Sequence, residues 1–225
     1  MRNFKTKRLT VTAVLLALST VLALVCALIP FLHLPMGGGF TVASMLPIVI
    51  ISYMYGVRWG LFASFTYSVI QIVMDLCLGV NGSVIMAMLL PDSDGYMGIF
   101  AAIAILVIDY FVAYTVLGLG GLLRGCVKNK TGALVLGTLV ALGLRYAAHI
   151  LSGYIFYGAW AEWFFSQEGW FHGFGTWLMA RVSDGALAFI YSVFYNGLYM
   201  VPEMVITALL AVPVSALRQI GKADA

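Results

Sequence analysis

The stretch VTAVLLALSTVLALVCALI, residues 11–29, decides the architecture. An α-helix needs about 17–25 apolar residues to cross the hydrocarbon core of a bilayer, and this run supplies them without a single charge. Arg2, Lys5, Lys7 and Arg8 stand immediately ahead of it. A secretory signal would have a shorter apolar core, about 7–15 residues, and a small-residue cleavage site. The run therefore predicts a retained transmembrane helix over 9–29, stopped at Pro30.

The rest of the chain agrees with that start. Of its 225 residues 63% are hydrophobic and only 9% charged, against about 25% charged in a soluble domain. So little charge cannot cover a water-facing surface, which excludes a soluble enzyme, a nucleic-acid-binding protein and a disordered linker. Further apolar runs predict helices over 42–56, 58–78, 97–123, 132–158 and 185–217. The first of these is short and ends at Gly56. Breaks fall at Leu34-Pro35-Met36-Gly37-Gly38-Gly39, at Asn81-Gly82, at Pro91 and at Asp92-Ser93-Asp94-Gly95. The apolar piece 84–90 is too short to cross and reads as re-entrant or interfacial. The expectation is one all-α membrane domain over 1–225, a multi-pass protein with six spans.

Charge gives the orientation. With the N-terminus inside, Arg2, Lys5, Lys7, Arg8, Arg58, Arg124, Lys128, Lys130, Arg218 and Lys222 all fall on the cytoplasmic side, ten of the 12 Lys and Arg. The exceptions are Arg181 in an outer loop and Arg145 within a helix. The positive-inside rule then predicts both termini in the cytoplasm. Cys26, Cys77 and Cys126 are far apart, with no CxxC and no His at ligand spacing. They read as free thiols packed as small hydrophobes, with no metal site.

Ionisable residues at membrane depth cost about 2.5–3.5 kcal/mol on insertion scales and therefore need a partner or a task. Asp75, Asp109, Arg145 and Glu203 are the candidates. Asp75 is near a helix end and within reach of the interface. Asp109 and Arg145 are deeper, and read either as a structural ion pair or as the walls of a polar pocket for a charged or heteroaromatic solute. Arg145, His149, Gly153 and Tyr157 recur every four residues and so share one helix face. Gly153 would let a flat ligand approach the backbone. Tyr191, Tyr195 and Tyr199 repeat at the same spacing with Asn196 beside them. An amide in hydrocarbon requires hydrogen-bond partners. Glu203 follows Pro202, where it either steadies a kink or takes part in gating. Ala13 and Ala17 form a small-xxx-small pair that admits a second helix.

Several chemistries lack their motifs. No G-x-x-x-x-G-K-[ST], HExxH or GxSxG is present. Uphill transport driven by ATP would need partner subunits to supply the ATPase, with no cofactor held by this chain.

Six segments carry a resemblance: 34–38 through 44–48, 55–60, 109–110, 118–121, 149–153, and 191–197 with Pro202-Glu203. In this order they resemble the thiamine-specific S-component, the substrate-binding subunit, of energy-coupling factor (ECF) transporters. The resemblance implies a six-helix subunit that captures the vitamin from outside and docks on a transmembrane coupling subunit with two ATPase subunits. It implies a thiamine site made by Asp109, Tyr110, Arg145, His149, Gly153, Tyr157, Tyr191 and Asn196, and a docking surface at Ala13 and Ala17. The loop before the last helix, 159–184, is longer than the family pattern and holds Trp160, Trp163, Trp170 and Trp177. The first outer loop lacks the family's Trp and has Phe40 instead. A thiamine relative, such as the hydroxymethylpyrimidine alone, is the alternative ligand. An intramembrane enzyme using Asp109, His149 and Asp75 or Glu203 is the alternative from another class, without a motif to fix its geometry. A scaffold for partner helices would leave Arg145, His149 and Asn196 unexplained.

Overall fold

The computed structural model describes residues 2–34, 38–78, 83–169, 172–217 and 220. Pro35, Met36 and Gly37 of the glycine loop, Asn81-Gly82, Trp170, and Arg218 and Lys222 of the tail lie outside the described residues. In chain order the helices are α1 (Arg2–Ala27), α2 (Leu46–Tyr55), α3 (Val57–Leu78), α4 (Val84–Leu89) and α5 (Ile99–Gly121). After them come α6 (Lys130–Phe156), α7 (Ala161–Ser166), α8 (His172–Met179) and α9 (Asp184–Ser215). Five of these, α1, α3, α5, α6 and α9, are long and apolar enough to cross a membrane.

The helix of the expected second span is shorter than the stretch that predicts it. α2 has ten residues, Leu46–Tyr55, rather than the stretch 42–56. At 1.5 Å per residue it reaches about 15 Å, half a hydrocarbon core. It is a core helix, with every residue from Leu46 to Met54 buried. The chain before it is irregular: Ala43 adopts a left-handed φ of 59°, and Pro47 lies in the first helical turn, where its missing N–H costs nothing. Non-helical backbone at such a place is stable only when protein encloses it. Here Val42 donates its N–H to Cys26 Sγ at 3.3 Å, and Thr41 is tied to Glu203 on α9.

α5 also departs from expectation. It opens as an α-helix, widens into a π-helical stretch over Leu106–Val112, and closes as a 3-10 helix over Val116–Gly121. The 3-10 end threads between α2, α3 and α6. A side chain on Gly118 would run into the backbone of Gly60 and Leu61 on α3. Ser52 of α2 donates its hydroxyl to the Gly118 carbonyl and accepts the Gly121 N–H. The glycines of this segment thus permit backbone contact between helices.

α6 and α9 pack along their lengths, and Thr131 meets Ser215 where the start of one passes the end of the other, at 2.7 Å. At that same end Arg124 donates to the Tyr53 and Met54 carbonyls, closing the C-terminus of α2, and Arg8 lies over the Trp59 ring at 3.9 Å. Arg8 and Arg124 therefore lie at one end of the bundle. The opposite end carries α4 and a cap of α7 and α8 under which Tyr191 and Tyr195 pack. The segment 84–90, read as interfacial, is the short helix α4.

Candidate functional site

Asp109 lies in the π-helical turn of α5. Such a turn inserts one extra residue and rotates the rest of the helix relative to its start, and π turns concentrate at functional sites. Across from it on α6, His149 Nδ1 lies 2.8 Å from Asp109 Oδ1, and Ser152 donates its hydroxyl to Asp109 Oδ2 at 2.6 Å. A carboxylate facing Nδ1 fixes the proton on that nitrogen, which leaves Nε2 of the neutral ring as an acceptor. His149 Nε2 is buried and has no hydrogen-bond partner among the described residues.

One turn down α6 from His149, Arg145 is buried as well. Of the two readings of Asp109 and Arg145, the direct ion pair does not form: His149 and Ser152 hold the carboxylate. The Arg145 guanidinium lies instead over the Tyr114 ring at 4.0 Å, a cation–π contact that is strongest when desolvated. Its Nε and Nη1 have no hydrogen-bond partner among the described residues. Buried polar atoms without partners are few in native proteins and call for an explanation. Three of them converge here, on Arg145 and His149.

Aromatic rings enclose these groups. Tyr199 sets its ring edge-on to His149 with centroids 5.9 Å apart, and Tyr110 packs beside Tyr114 at 6.3 Å. Tyr191 and Tyr195 are neighbours at 5.6 Å, and Tyr157, which packs against their cluster, directs its hydroxyl to Met88 Sδ at 3.6 Å.

Three expectations change in detail. Gly153 does not leave room for a flat ligand: a side chain there would strike Ser192 Oγ and, at 2.9 Å, Asn196 Nδ2. Its small size serves the α6–α9 contact. The Asn196 amide is not free to pair with a solute, since Nδ2 bonds the His149 carbonyl at 3.1 Å and the Ser192 carbonyl at 2.8 Å. Its Oδ1 accepts the Tyr199 hydroxyl at 2.5 Å. Asn196 therefore positions His149 and Tyr199. Asp75 does not reach outward; it accepts from the Ser83 hydroxyl at 2.6 Å and the Val84 and Ile85 N–H groups at 3.2 and 3.1 Å. A carboxylate there satisfies the free donors of the α4 N-terminus.

Tyr114 and Ser152 join the site without having been expected there, although Tyr114 is four residues from Tyr110 and Ser152 three from His149. Glu203 is wholly buried and takes the Thr41 N–H at 2.5 Å, the Thr41 hydroxyl at 2.9 Å and the Thr207 hydroxyl at 3.2 Å. Ala13 and Ala17 are exposed on α1. No group of three or more His, Cys, Asp or Glu placed to hold a metal occurs among the described residues.

A bundle of membrane-crossing helices that buries a cation, an imidazole and a carboxylate, with valences left open between them, belongs to the class of multi-pass transport proteins. Comparison with known proteins is specific. The family model described as thiamine transporter protein matches residues 9–90 and 79–170, and the chain belongs to that family. It is 28% identical over 212 residues to the thiamine transporter ThiT of Bacillus subtilis (strain 168), covering 90% of this chain and 86% of that protein. Among solved structures, ThiT from Listeria monocytogenes superposes with a TM-score of 0.55 at 16% identity, over 92% of this chain and 97% of that one. The fold is shared across that distance. The chain is thus a membrane transport protein of the cell membrane and not an enzyme, which sets aside the catalytic reading of Asp109 and His149.

Proposed function

We propose that this chain is the thiamine-binding S-component of an ECF transporter, with both termini in the cytoplasm and six crossings, the second made by α2 together with the non-helical chain before it. It takes the vitamin from outside and delivers it through a transmembrane coupling subunit driven by two ATPase subunits, which alone use ATP. The observation that carries the reading is the set of unpartnered nitrogens on Arg145 and His149 beside the Asp109 carboxylate, in a chain of the thiamine transporter family.

The chemistry of thiamine matches what these groups offer. Its aminopyrimidine has an exocyclic amine to donate and ring nitrogens to accept. His149 Nε2 accepts, and the Arg145 Nε–H and Nη1–H donate. The thiazolium is a cation, and aromatic faces attract cations by about 0.5–2 kcal/mol, more when water is excluded. Tyr110, Tyr157 and Tyr191 supply such faces, and the Asp109 carboxylate offsets the added positive charge. The Tyr114 ring lowers the cost of burying the Arg145 guanidinium without removing its charge, so the Asp109 carboxylate has to offset the repulsion between Arg145 and the thiazolium.

Calorimetric titration of the purified protein with thiamine, hydroxymethylpyrimidine and riboflavin tests the proposal. Saturable binding of thiamine, weaker binding of the pyrimidine and none of riboflavin is the expected result. Tight binding of the pyrimidine alone would move the assignment to the precursor. For the partnership, bulky residues at Ala13 and Ala17 should abolish uptake in vesicles holding the coupling subunit and ATPases while binding is kept. Full uptake by that double variant would place docking elsewhere.

A further inference from the structure

The cap before α9 has two unlike sides. Ala161 and Phe165 of α7, and Gly175 and Leu178 of α8, are buried against the bundle. The other side presents rings: Trp163 is 46% exposed, Trp177 51%, Phe174 40% and Trp160 37%. The exposed rings form two contacting pairs, Trp160 edge-on to Trp163 and Phe174 stacked on Trp177 at 6.0 Å. The second pair continues onto a membrane-crossing helix, because Phe174 packs on Phe194 of α9 at 5.8 Å.

We propose that this aromatic side of α7 and α8 is a lipid-binding surface, seated in the headgroup zone of the bilayer at the end of the bundle opposite Arg8 and Arg124. Water is a poor occupant, since large contiguous apolar patches are rare on wetted surfaces. The hydrocarbon interior is no better. Glu162 adjoins Trp163 and is exposed, and Arg181 lies over the Trp177 ring at 5.0 Å while donating to the Trp177 carbonyl. Tryptophan concentrates where one side of a ring meets acyl chains and the other meets water. An arginine stacked on it keeps a positive charge beside the ring, which suits the depth of lipid phosphate. The continuity with Phe194 places the surface where α9 leaves the membrane. The inner side of the same cap rests Phe164 on Tyr191 at 5.4 Å and on Tyr195 at 5.8 Å. Lipid contact therefore holds the cap down on these tyrosines.

The test uses the full chain in proteoliposomes, in two versions that keep only Trp163 or only Trp177, every other tryptophan being changed to Phe. Vesicles contain phosphatidylcholine brominated either just below the headgroup or near the chain end, and iodide is the aqueous quencher. The expected result is loss of most of the emission with the headgroup-proximal bromines, less with the deep ones, and little with iodide. Strong iodide quenching without lipid quenching would mean that the cap stands in water and would overturn the proposal. Strongest quenching by the deep bromines, or quenching by neither reagent, would overturn it as well, the latter pointing to a covering protein. If the multiply substituted chains fail to insert, the parent is compared with W163F and W177F. Each should then lose part of the headgroup-proximal quenching, and equal quenching in all three counts against the surface.

Discussion

Glu203 and His149 are both buried polar side chains on membrane-crossing helices, and their surroundings differ in one respect. Around Glu203 both carboxylate oxygens have partners: Thr41 supplies two donors to one oxygen and Thr207 supplies one to the other. Asn196 is committed in the same way, to His149, Ser192 and Tyr199. Around His149 and Arg145 the count is incomplete, with Nε2 of one and Nε and Nη1 of the other unpartnered. A satisfied buried group contributes to holding helices together, and an unsatisfied one costs free energy until something completes it. On the function proposed above, the first set serves the fold and the second serves the solute.

Substitutions on each side should separate along that line, starting with the largest effect. Asp109→Asn keeps the shape and removes the charge that orients His149 and balances a bound cation. Truncating a buried, hydrogen-bonded charge partner costs about 2–5 kcal/mol, so thiamine affinity in calorimetry should fall by roughly 30- to 5,000-fold, with the thermal midpoint in detergent little changed. If affinity survives intact, the solute does not use this cluster. Glu203→Ala should do the reverse. It strands the Thr41 N–H and two hydroxyls, a loss of about 1–3 kcal/mol of stability, read as a lower midpoint in a thermal melt.

A paired substitution sharpens the contrast further. His149→Ala should weaken binding by about 1–2 kcal/mol, whereas Asn196→Ala should appear chiefly as lost stability of similar size, each reflecting buried hydrogen bonds. Equal loss of binding in both would mean that Asn196 touches the solute directly. Asp92→Asn, on an exposed loop, should leave titration and melt alike, because exposed charges are well screened.

Much of this was legible in the sequence, for reasons that particular residues show. Length and apolarity placed α3, α6 and α9 within a residue or two. Arg145 and His149 had to share a face because a helix repeats nearly every four residues. What the sequence could not show is where that repeat fails. The π turn at Asp109 depends on how α5 packs, and it decides that the carboxylate meets His149 and Ser152 rather than Arg145. The late start of α2 is another such case. An apolar run from 42 reads as helix, but the left-handed Ala43 and the Thr41–Glu203 contact hold those residues out of it. Gly153 matters for its small size, as the sequence suggests, but its neighbours are Ser192 and Asn196 rather than a ligand, and only the tertiary structure sets them opposite it.

The Thr41–Glu203 contact joins residues separated by 162 positions, and this bears on how the protein is made. Chains enter the membrane from the N-terminus as they are synthesised. α1, α2 and α3 are therefore in place long before α9 emerges from the ribosome. Until then the Thr41 N–H has no carboxylate, and the irregular chain ahead of α2 lacks the anchor that holds it out of helix. Insertion of the last helix is then the step that locks the first loop, and a nascent chain stopped before Glu203 remains an unfinished bundle however many of its helices already cross.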